Sequence, residues 1–416
     1  MIRRARLARA AAACAVIALA AFASSPWSTA PALADSVFGV GGLGEPSLPE
    51  DAQIRALGGA GAAEHGETDF SFVNPASIAG AKHLSLQATL LSTRRWTNTV
   101  SYGEGSSYES AFPSIRLVIR LPASIILGGA YILGTDADFA IVRAESMGVA
   151  SELGIAGSGG IQFTRLTLAR RINKRFNLGI DYEIIGGSYN EIWVRQFPTP
   201  NFQESRDTLE VSWDRNGRFR FGLNYVAPRG WAIGGVYEME QSLPVTLTQA
   251  TSGTRTREAA DELVIPSGYT LGFSAPFGGG KRMVGQYQRA LWNRSSLRSD
   301  LVDFRAEERF SLGFERNVPR FPGKSLFSKI PIRIGWTYLR WPDLLPVAGA
   351  EDIYGGTAGV TEWAFSLGTG AATGDRGGVF DASLEWGRRG NIGTLGADES
   401  FLRLALSLQV TDQTWK

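Results

Sequence analysis

Along most of the chain, apolar and polar side chains take alternate positions. From Phe176, one side carries Phe176, Leu178, Ile180, Tyr182 and Ile184, and the other Asn177, Gly179, Asp181 and Glu183. Phe219, Phe221, Leu223 and Tyr225 oppose Arg218, Arg220, Gly222 and Asn224. Ile332, Ile334, Trp336 and Tyr338 oppose Arg333, Gly335 and Thr337, and Leu402, Leu404, Leu406, Leu408 and Val410 oppose Arg403, Ala405, Ser407 and Gln409. Residues two apart in a strand share a face, so this period predicts β-strands. Further runs fall near 82–92, 95–104, 111–121, 123–134, 160–171, 205–214, 230–241, 262–275, 281–292, 307–317, 361–371 and 377–388. They exceed the ~5–6 residues usual in soluble strands and match the ~9–11 a tilted strand needs to cross a bilayer. Turn-forming residues separate them, as in Asn173-Lys174, Asn216-Gly217, Pro228-Arg229-Gly230 and Gly278-Gly279-Gly280.

The first 34 residues break the pattern. Arg3, Arg4, Arg6 and Arg9 precede an unbroken apolar run from Ala10 to Ala23, and Ala32-Leu33-Ala34 offers a small-x-small cleavage site. This is the layout of a secretory signal peptide. The apolar run is shorter than the ~20 residues of a spanning helix. Cys14, the single cysteine, lies inside it, so residues 35–416 have no thiol chemistry.

Two architectures bury alternating strands. A soluble sandwich packs its apolar face on protein and wets the other; a membrane barrel turns its apolar face to lipid and its polar face to a lumen. The export signal, the strand length and the tryptophans near run ends (Trp96, Trp193, Trp231, Trp292, Trp341, Trp363) favour the barrel, with those rings as interface girdles. A propeller would repeat every ~40–50 residues, and no such repeat is present. The reading is an all-β transmembrane antiparallel barrel of about 14 strands, in three parts: signal peptide 1–34, an N-terminal hatch or plug 35–80, and barrel 81–416. Residues 35–80 do not alternate and are rich in Gly and Ala. They pack compactly inside something else or form a periplasmic arm. Segments 250–262 and 342–360 are the best loop candidates.

Arg55-Ala56-Leu57-Gly58-Gly59-Ala60-Gly61-Ala62-Ala63 leads through Asp69 to Asn74-Pro75-Ala76-Ser77. This stretch resembles the N-terminal signature of the FadL-type family of outer-membrane proteins. That family includes long-chain fatty acid and toluene-type transporters, with PorV-like secretion proteins as relatives. Asp381 to Gly390, with Arg388-Arg389-Gly390 at its end, then the closing run Phe401–Val410, resembles the last hairpin of such barrels. The resemblance implies a hatch motif at Gly58, Gly59, Gly61, Asn74, Pro75 and Ala76, a bacterial outer-membrane location, and passive uptake of hydrophobic small molecules. It also implies that apolar ligands leave sideways through a gap in the wall. Physically, Pro75 donates no ladder hydrogen bond and keeps Asn74 extended, which suits a hatch-to-strand corner. The implied partners are outer-membrane lipid, a hydrophobic ligand and the barrel assembly machinery. The PorV-like alternative adds a secretion-system partner, and a structural porin-like barrel is a third reading.

A gap needs a break in a strand. Ile161 and Phe163 are odd-numbered while Leu166 and Leu168 are even, so the apolar phase slips at Thr164-Arg165, where a bulge or kink is expected. Other chemistry is thin. Gly39-Val40-Gly41-Gly42-Leu43-Gly44 fits a dinucleotide motif but lacks the flanking strand and helix. Gly323-Lys324-Ser325 lacks the first glycine of a phosphate loop. His65 and His83 are the only histidines, too few for a metal centre and poorly placed for a hydrolase, so no enzyme, metal or cofactor is expected. Lys+Arg is 42 against Asp+Glu 40, which argues against nucleic acid, whose phosphates need concentrated positive charge. The charged faces (Asp181, Glu183, Glu210, Asp214, Arg218, Arg220, Arg333, Glu385, Arg403) are expected to point inward, because an arginine facing lipid costs ~2–4 kcal/mol at mid-bilayer.

Overall fold

The computed structural model describes residues 36–39, 43–48, 50–66, 71–100, 103–146, 150–197, 204–251, 254–295, 303–316, 330–346, 357–373 and 378–412. The signal segment, Asp69 and Gly323-Lys324-Ser325 lie outside them, as do 347–356 of the second loop candidate. The first loop candidate is largely strand: one strand ends at Thr251 and the next begins at Thr254.

Fourteen antiparallel strands close on themselves. The first two are β1 (Leu84–Thr99) and β2 (Gly103–Arg120). β3 comes in two arms, Ile125–Leu133 and Phe139–Ser146, followed by β4 (Ala150–Arg171) and β5 (Phe176–Gln196). β6 (Ser205–Trp213 and Asn216–Val226), β7 (Ala232–Glu238 and Gln241–Thr251) and β8 (Thr254–Ile265 and Gly268–Gly278) are also interrupted. β9 (Lys281–Ala290), β10 (Asp303–Phe304 and Glu307–Arg316), β11 (Ile332–Pro346), β12 (Thr357–Thr373), β13 (Gly378–Asn391) and β14 (Ala397–Asp412) complete the ring. Closure is the β1–β14 ladder, from Leu84 opposite Asp412 to Thr99 opposite Ala397. Ring closure pairs the strand edges that a sheet in lipid cannot leave free, with one local break described below.

The half of the barrel nearer the termini is apolar outside and polar inside. Leu166, Leu168, Leu178, Tyr182, Phe219, Phe221 and Leu223 are exposed on the outer face, while Arg165, Thr167, Asn177, Asp181, Glu183, Arg218 and Arg220 are buried on the inner one. In the other half the polarity inverts. Leu153, Ile155, Ile161, Ile185, Tyr189, Val211, Leu243, Val245, Leu263 and Ile265 form a buried inner cluster, and Glu152, Ala156 and Ser158 are exposed outside. Two expectations are corrected by this inversion. Glu210 and Asp214 are exposed rather than lumenal, with Glu210 3.7 Å from Arg255 across the outer surface. Trp292 and Trp341 are buried, and Trp193 packs on the inner cluster, so these three are not girdle rings.

The inversion also removes the kink expected at Thr164-Arg165. β4 pairs with β5 without a register break from Glu152 to Arg171, and with β3 from Gln162 to Arg170. Ile161, Phe163, Arg165, Thr167 and Ala169 share one inner face throughout. The apolar residues change sides because the outer surface of β4 passes from lipid to water, not because the strand slips.

The break in the wall lies nearby, between the arms of β3. Residues 134–138 leave the β2 side, and Thr135-Asp136 pairs instead with Glu45-Pro46 of the N-terminal segment. β2 pairs with β3 only over Ser114–Arg120. Among the described residues, Gly103–Pro113 has no ladder partner on that side, and the outer arm of β3 pairs only with β4. The neighbouring strands bend at the same level: Gly159 and Gly160 have φ of 110° and 133°, and Gly187 has 123°, conformations that only glycine adopts cheaply.

Candidate functional site in the barrel lumen

The N-terminal segment packs inside the ring. Its one α-helical turn, Ala52–Arg55, is capped by Asp51, whose Oδ1 accepts from the Ile54 amide at 2.9 Å. Residues this small bring backbone against backbone, and the wall answers with glycines. A Cβ on Gly335 would meet the Gly58 amide nitrogen, one on Gly234 the Ala62 carbonyl, one on Gly179 the Pro75 backbone and one on Gly222 the Asn74 side chain. Within the segment, Gly58 and Gly59 have φ of 69° and 86°, and a Cβ on Gly61 would meet Ser71 Oγ at 2.5 Å. Asn74 is fully buried. Its amide donates to Ala62 O at 2.8 Å, to Leu223 O at 3.2 Å and to Asn224 Oδ1 at 2.8 Å, while its own oxygen accepts from the Ala76 amide at 2.9 Å. The Asn-Pro-Ala tripeptide therefore touches both the upstream glycine-rich run and the wall at β6.

Ion pairs tie the same segment to the wall. Glu45 receives Arg95 at 2.8 Å, Arg389 at 2.8 Å and Arg403 at 2.6 Å. Burial alone would raise the Glu45 pKa. Arg389, Arg95 and Arg403 outweigh it and hold the carboxyl well below its usual range. Arg116 binds Glu50 and Asp51, each at 3.1 Å; burial still leaves Asp51 above its ordinary value, with Arg116 opposing. Arg282 joins Glu64 at 2.9 Å to Glu315 at 2.5 Å, and Arg333 continues that chain from Glu315 at 2.7 Å to Asp381 at 2.6 Å. In the last hairpin, Arg388 is half-exposed against Asp398, whereas Arg389 is buried, bound to Glu399 at 2.6 Å, with Trp341 and Phe401 rings 5.1 and 5.5 Å away. Gly390 has φ of 75°, and a Cβ there would strike the Phe38 ring.

Above this ionic tier lies the apolar cluster. A cavity of about 130 Å³ joins the two, bounded by Leu43, Ile132, Ile161, Phe163, Ile265 and Trp292 on the apolar side and by Arg165, Arg218, Arg220 and Glu238 below. The floor is internally compensated. Glu183 accepts from Arg165 at 2.5 Å and Arg218 at 2.7 Å; Arg220 donates to Asp181 at 2.6 Å and Glu238 at 2.9 Å. Arg165 and Arg220 also donate to Phe72 O at 3.0 Å and Val73 O at 2.7 Å, so the floor is pinned to the N-terminal segment. Thr164 is exposed on the outer face. His65 Nδ1–H donates to Ala63 O at 2.9 Å, and burial lowers its pKa.

The lumen thus joins the residues expected as a hatch motif, Arg165 and Arg389-Gly390 into one packed interior, and leaves Thr164 and Arg388 outside it. Sequence reasoning missed Glu45, Glu50, Arg95, Arg116 and Glu399. Glu45-Pro46 directly follows the glycine run read as a failed dinucleotide motif, and a charged residue at the end of that run was the available signal.

A family model described as BamG matches residues 1–416. Among solved structures, a Pseudomonas aeruginosa FadL homologue aligns with TM-score 0.60 and 13% identity, over 88% of this chain and 99% of that one. The Pseudomonas putida toluene transporter TodX gives TM-score 0.56 and 13% identity, over 87% and 98%. The CymD monoaromatic hydrocarbon channel gives 0.53 and 15%, over 87% and 97%. At such identities the shared property is the fold. No curated protein sequence matches the chain.

Proposed function

The chain belongs to the BamG family, and from the lumen geometry we propose an outer-membrane channel for passive passage of hydrophobic small molecules. One observation carries the reading. The outer half of the lumen is lined by apolar side chains, closes below on a compensated ionic floor, and lies beside a wall break between β2 and β3. An apolar ligand entering that half gains by leaving water. It meets no uncompensated charge on the floor, and the wall break offers a way out at its level. In this reading residues 1–34 direct export, 35–80 serve as the hatch and 81–416 form the barrel. The similar solved structures named for monoaromatic hydrocarbons and toluene agree with the class of cargo.

The test is influx into proteoliposomes with lipopolysaccharide in the outer leaflet, where spontaneous entry is slow. A neutral monoaromatic and a labelled fatty acid serve as cargoes. The protein raises entry several-fold, and Ile265→Trp, which fills the cavity, lowers it. Entry no faster than in protein-free vesicles overturns the reading.

A second reading has its own observation. The two strand edges at the wall break, Gly103–Pro113 and Phe139–Ser146, lack ladder partners there among the described residues, and such edges accept an added strand. A protein partner in secretion or assembly at the outer membrane would use them. Crosslinks from residue 108 or 142 to another polypeptide in cells would favour it; their absence removes it.

A further inference from the structure

On the outer wall, β9 carries Met283, Gly285, Tyr287 and Arg289 on its lipid-facing side. The Phe273 ring lies over Gly285 and fills the place of its missing side chain. An open groove of about 430 Å³ lies on this surface, walled by Leu271, Phe273, Tyr287, Phe310, Leu312 and Trp336. That volume lies in the range of ligand sites, and the walls are almost wholly apolar.

The end of the groove away from the chain termini is different. Tyr287 donates to Glu308 Oε1 at 3.1 Å, Arg340 binds Glu308 Oε2 at 2.5 Å, and Arg289 lies 3.8 Å from Glu308. Two guanidiniums therefore share one carboxylate, and their side chains remain 40% and 42% exposed. Arg305 adds a third guanidinium nearby, donating to Trp341 O at 2.8 Å beside Arg340. Tyr269 and Tyr287 pack beside the cluster with ring centres 6.0 Å apart and planes tilted by 58°. Tyrosines of this kind sit at headgroup level. The strands β9 and β11 run upward from the end that holds the termini, so this end of the groove faces the outer leaflet when the termini are periplasmic.

We propose that this groove and arginine cluster form a binding site for a phosphorylated glycolipid of the outer leaflet. One acyl chain lies along Phe273, Phe310 and Leu312, and a sugar phosphate bridges Arg289 and Arg340. The net positive charge of the Arg289–Glu308–Arg340 group selects an anion. Guanidinium forks hold phosphate oxygens in paired, charge-assisted hydrogen bonds. The groove supplies the apolar anchor that free phosphate lacks. The site is independent of what the lumen carries.

Native mass spectrometry of the folded barrel in detergent tests it with three lipids: a diphosphorylated lipid A, the same lipid dephosphorylated, and phosphatidylglycerol. The expected result is retention of diphosphorylated lipid A above both others, and a loss of at least roughly tenfold in the Arg289→Gln/Arg340→Gln double variant. Arg94→Gln, an outward arginine stacked on Trp96 elsewhere on the barrel, keeps full binding. Inorganic phosphate at equal concentration does not displace the lipid. The proposal is overturned by equal retention of dephosphorylated lipid or phosphatidylglycerol, by an unchanged double variant, or by an equal loss in Arg94→Gln.

Discussion

Glu45→Gln isolates the ionic tie that holds residues 43–48 of the N-terminal segment against the lumen wall. The substitution keeps shape and removes one charge from a site where three guanidiniums converge within 2.8 Å. Removing one partner of a buried ion pair costs about 3–5 kcal/mol, because the other charges stay buried. Each guanidinium keeps a second carboxylate: Arg95 has Glu109 at 2.8 Å, Arg389 has Glu399 at 2.6 Å, and Arg403 has Glu385 at 2.6 Å. The cost therefore falls near the lower end, about 3 kcal/mol, which is roughly a 150-fold shift in the equilibrium between docked and released segment. The described residues contain no cysteine, so a single cysteine placed at Leu43 reports release of residues 43–48. Leu43 is buried in the apolar cluster. Maleimide labelling of L43C in folded barrel accelerates about 100-fold when Glu45→Gln is added. Equal labelling rates within a factor of three, with both proteins folded by heat-modified gel mobility, refute the electrostatic account of docking.

The polarity inversion along β4 predicts opposite outcomes for one change made twice on the same face. Leu166→Arg meets lipid and destabilises the folded barrel by about 2–4 kcal/mol in urea titrations in vesicles, whereas Ala156→Arg, ten residues away, meets water and costs under about 1 kcal/mol. Docking of the segment also has a defined pH response. The folded Glu45 pKa is depressed, so its contribution is complete above the unfolded carboxylate value near ~4.3 and is lost only as pH falls through the lower folded value. A spin label at residue 43 therefore stays immobile from pH 8 to 5 and loosens only in stronger acid; loosening between pH 7 and 6 contradicts this. A disulfide between Ala62→Cys and Gly272→Cys, whose Cβ positions lie 2.9 Å apart, fixes the segment to β8 after a shift of about 1 Å. Oxidised and reduced protein then pass hydrophobic cargo at equal rates if the wall break is the exit, and oxidation stops passage if the segment must move.

Much of the architecture was written in the period of two. Strands such as Phe176–Gln196 and Ala397–Asp412 announce themselves because their lipid-facing side chains are apolar and their lumenal ones are not. The closing hairpin and Asn74-Pro75-Ala76 were visible because glycine and proline mark backbone constraints that few other residues meet. The wall break was read in the wrong place, because a change of medium outside β4 and a slip within it leave the same mark on a one-dimensional pattern. The true break at 134–138 shows only as short polar residues, Thr135, Asp136 and Asp138, whose partner Glu45-Pro46 lies some 90 residues earlier. The ionic cradle was hidden for a related reason. A lumenal arginine is required by burial from lipid alone, and nothing in its neighbours along a strand tells which distant carboxylate it meets.

The density of these ties constrains how the interior works. For residues 50–80 to leave the lumen, Arg116 must part from Glu50 and Asp51, Arg282 from Glu64, and Asn74 from Asn224 and the Leu223 carbonyl. At about 3 kcal/mol for each severed buried ion pair, the charged contacts alone place wholesale release near 9 kcal/mol, a population of order one in a million. The glycine contacts at Gly179, Gly222, Gly234 and Gly335 add apolar and backbone packing on top. Residues 43–48 are held differently. They rest on Glu45, on two pairings with Thr135-Asp136 and on the Ser47 amide bonded to Gly134 O at 2.9 Å. They also border both the apolar cavity and the wall break. The part of the interior whose displacement costs least is thus the part beside the opening, and a passive channel built on this fold has its movable element there while the rest of the segment stays in place.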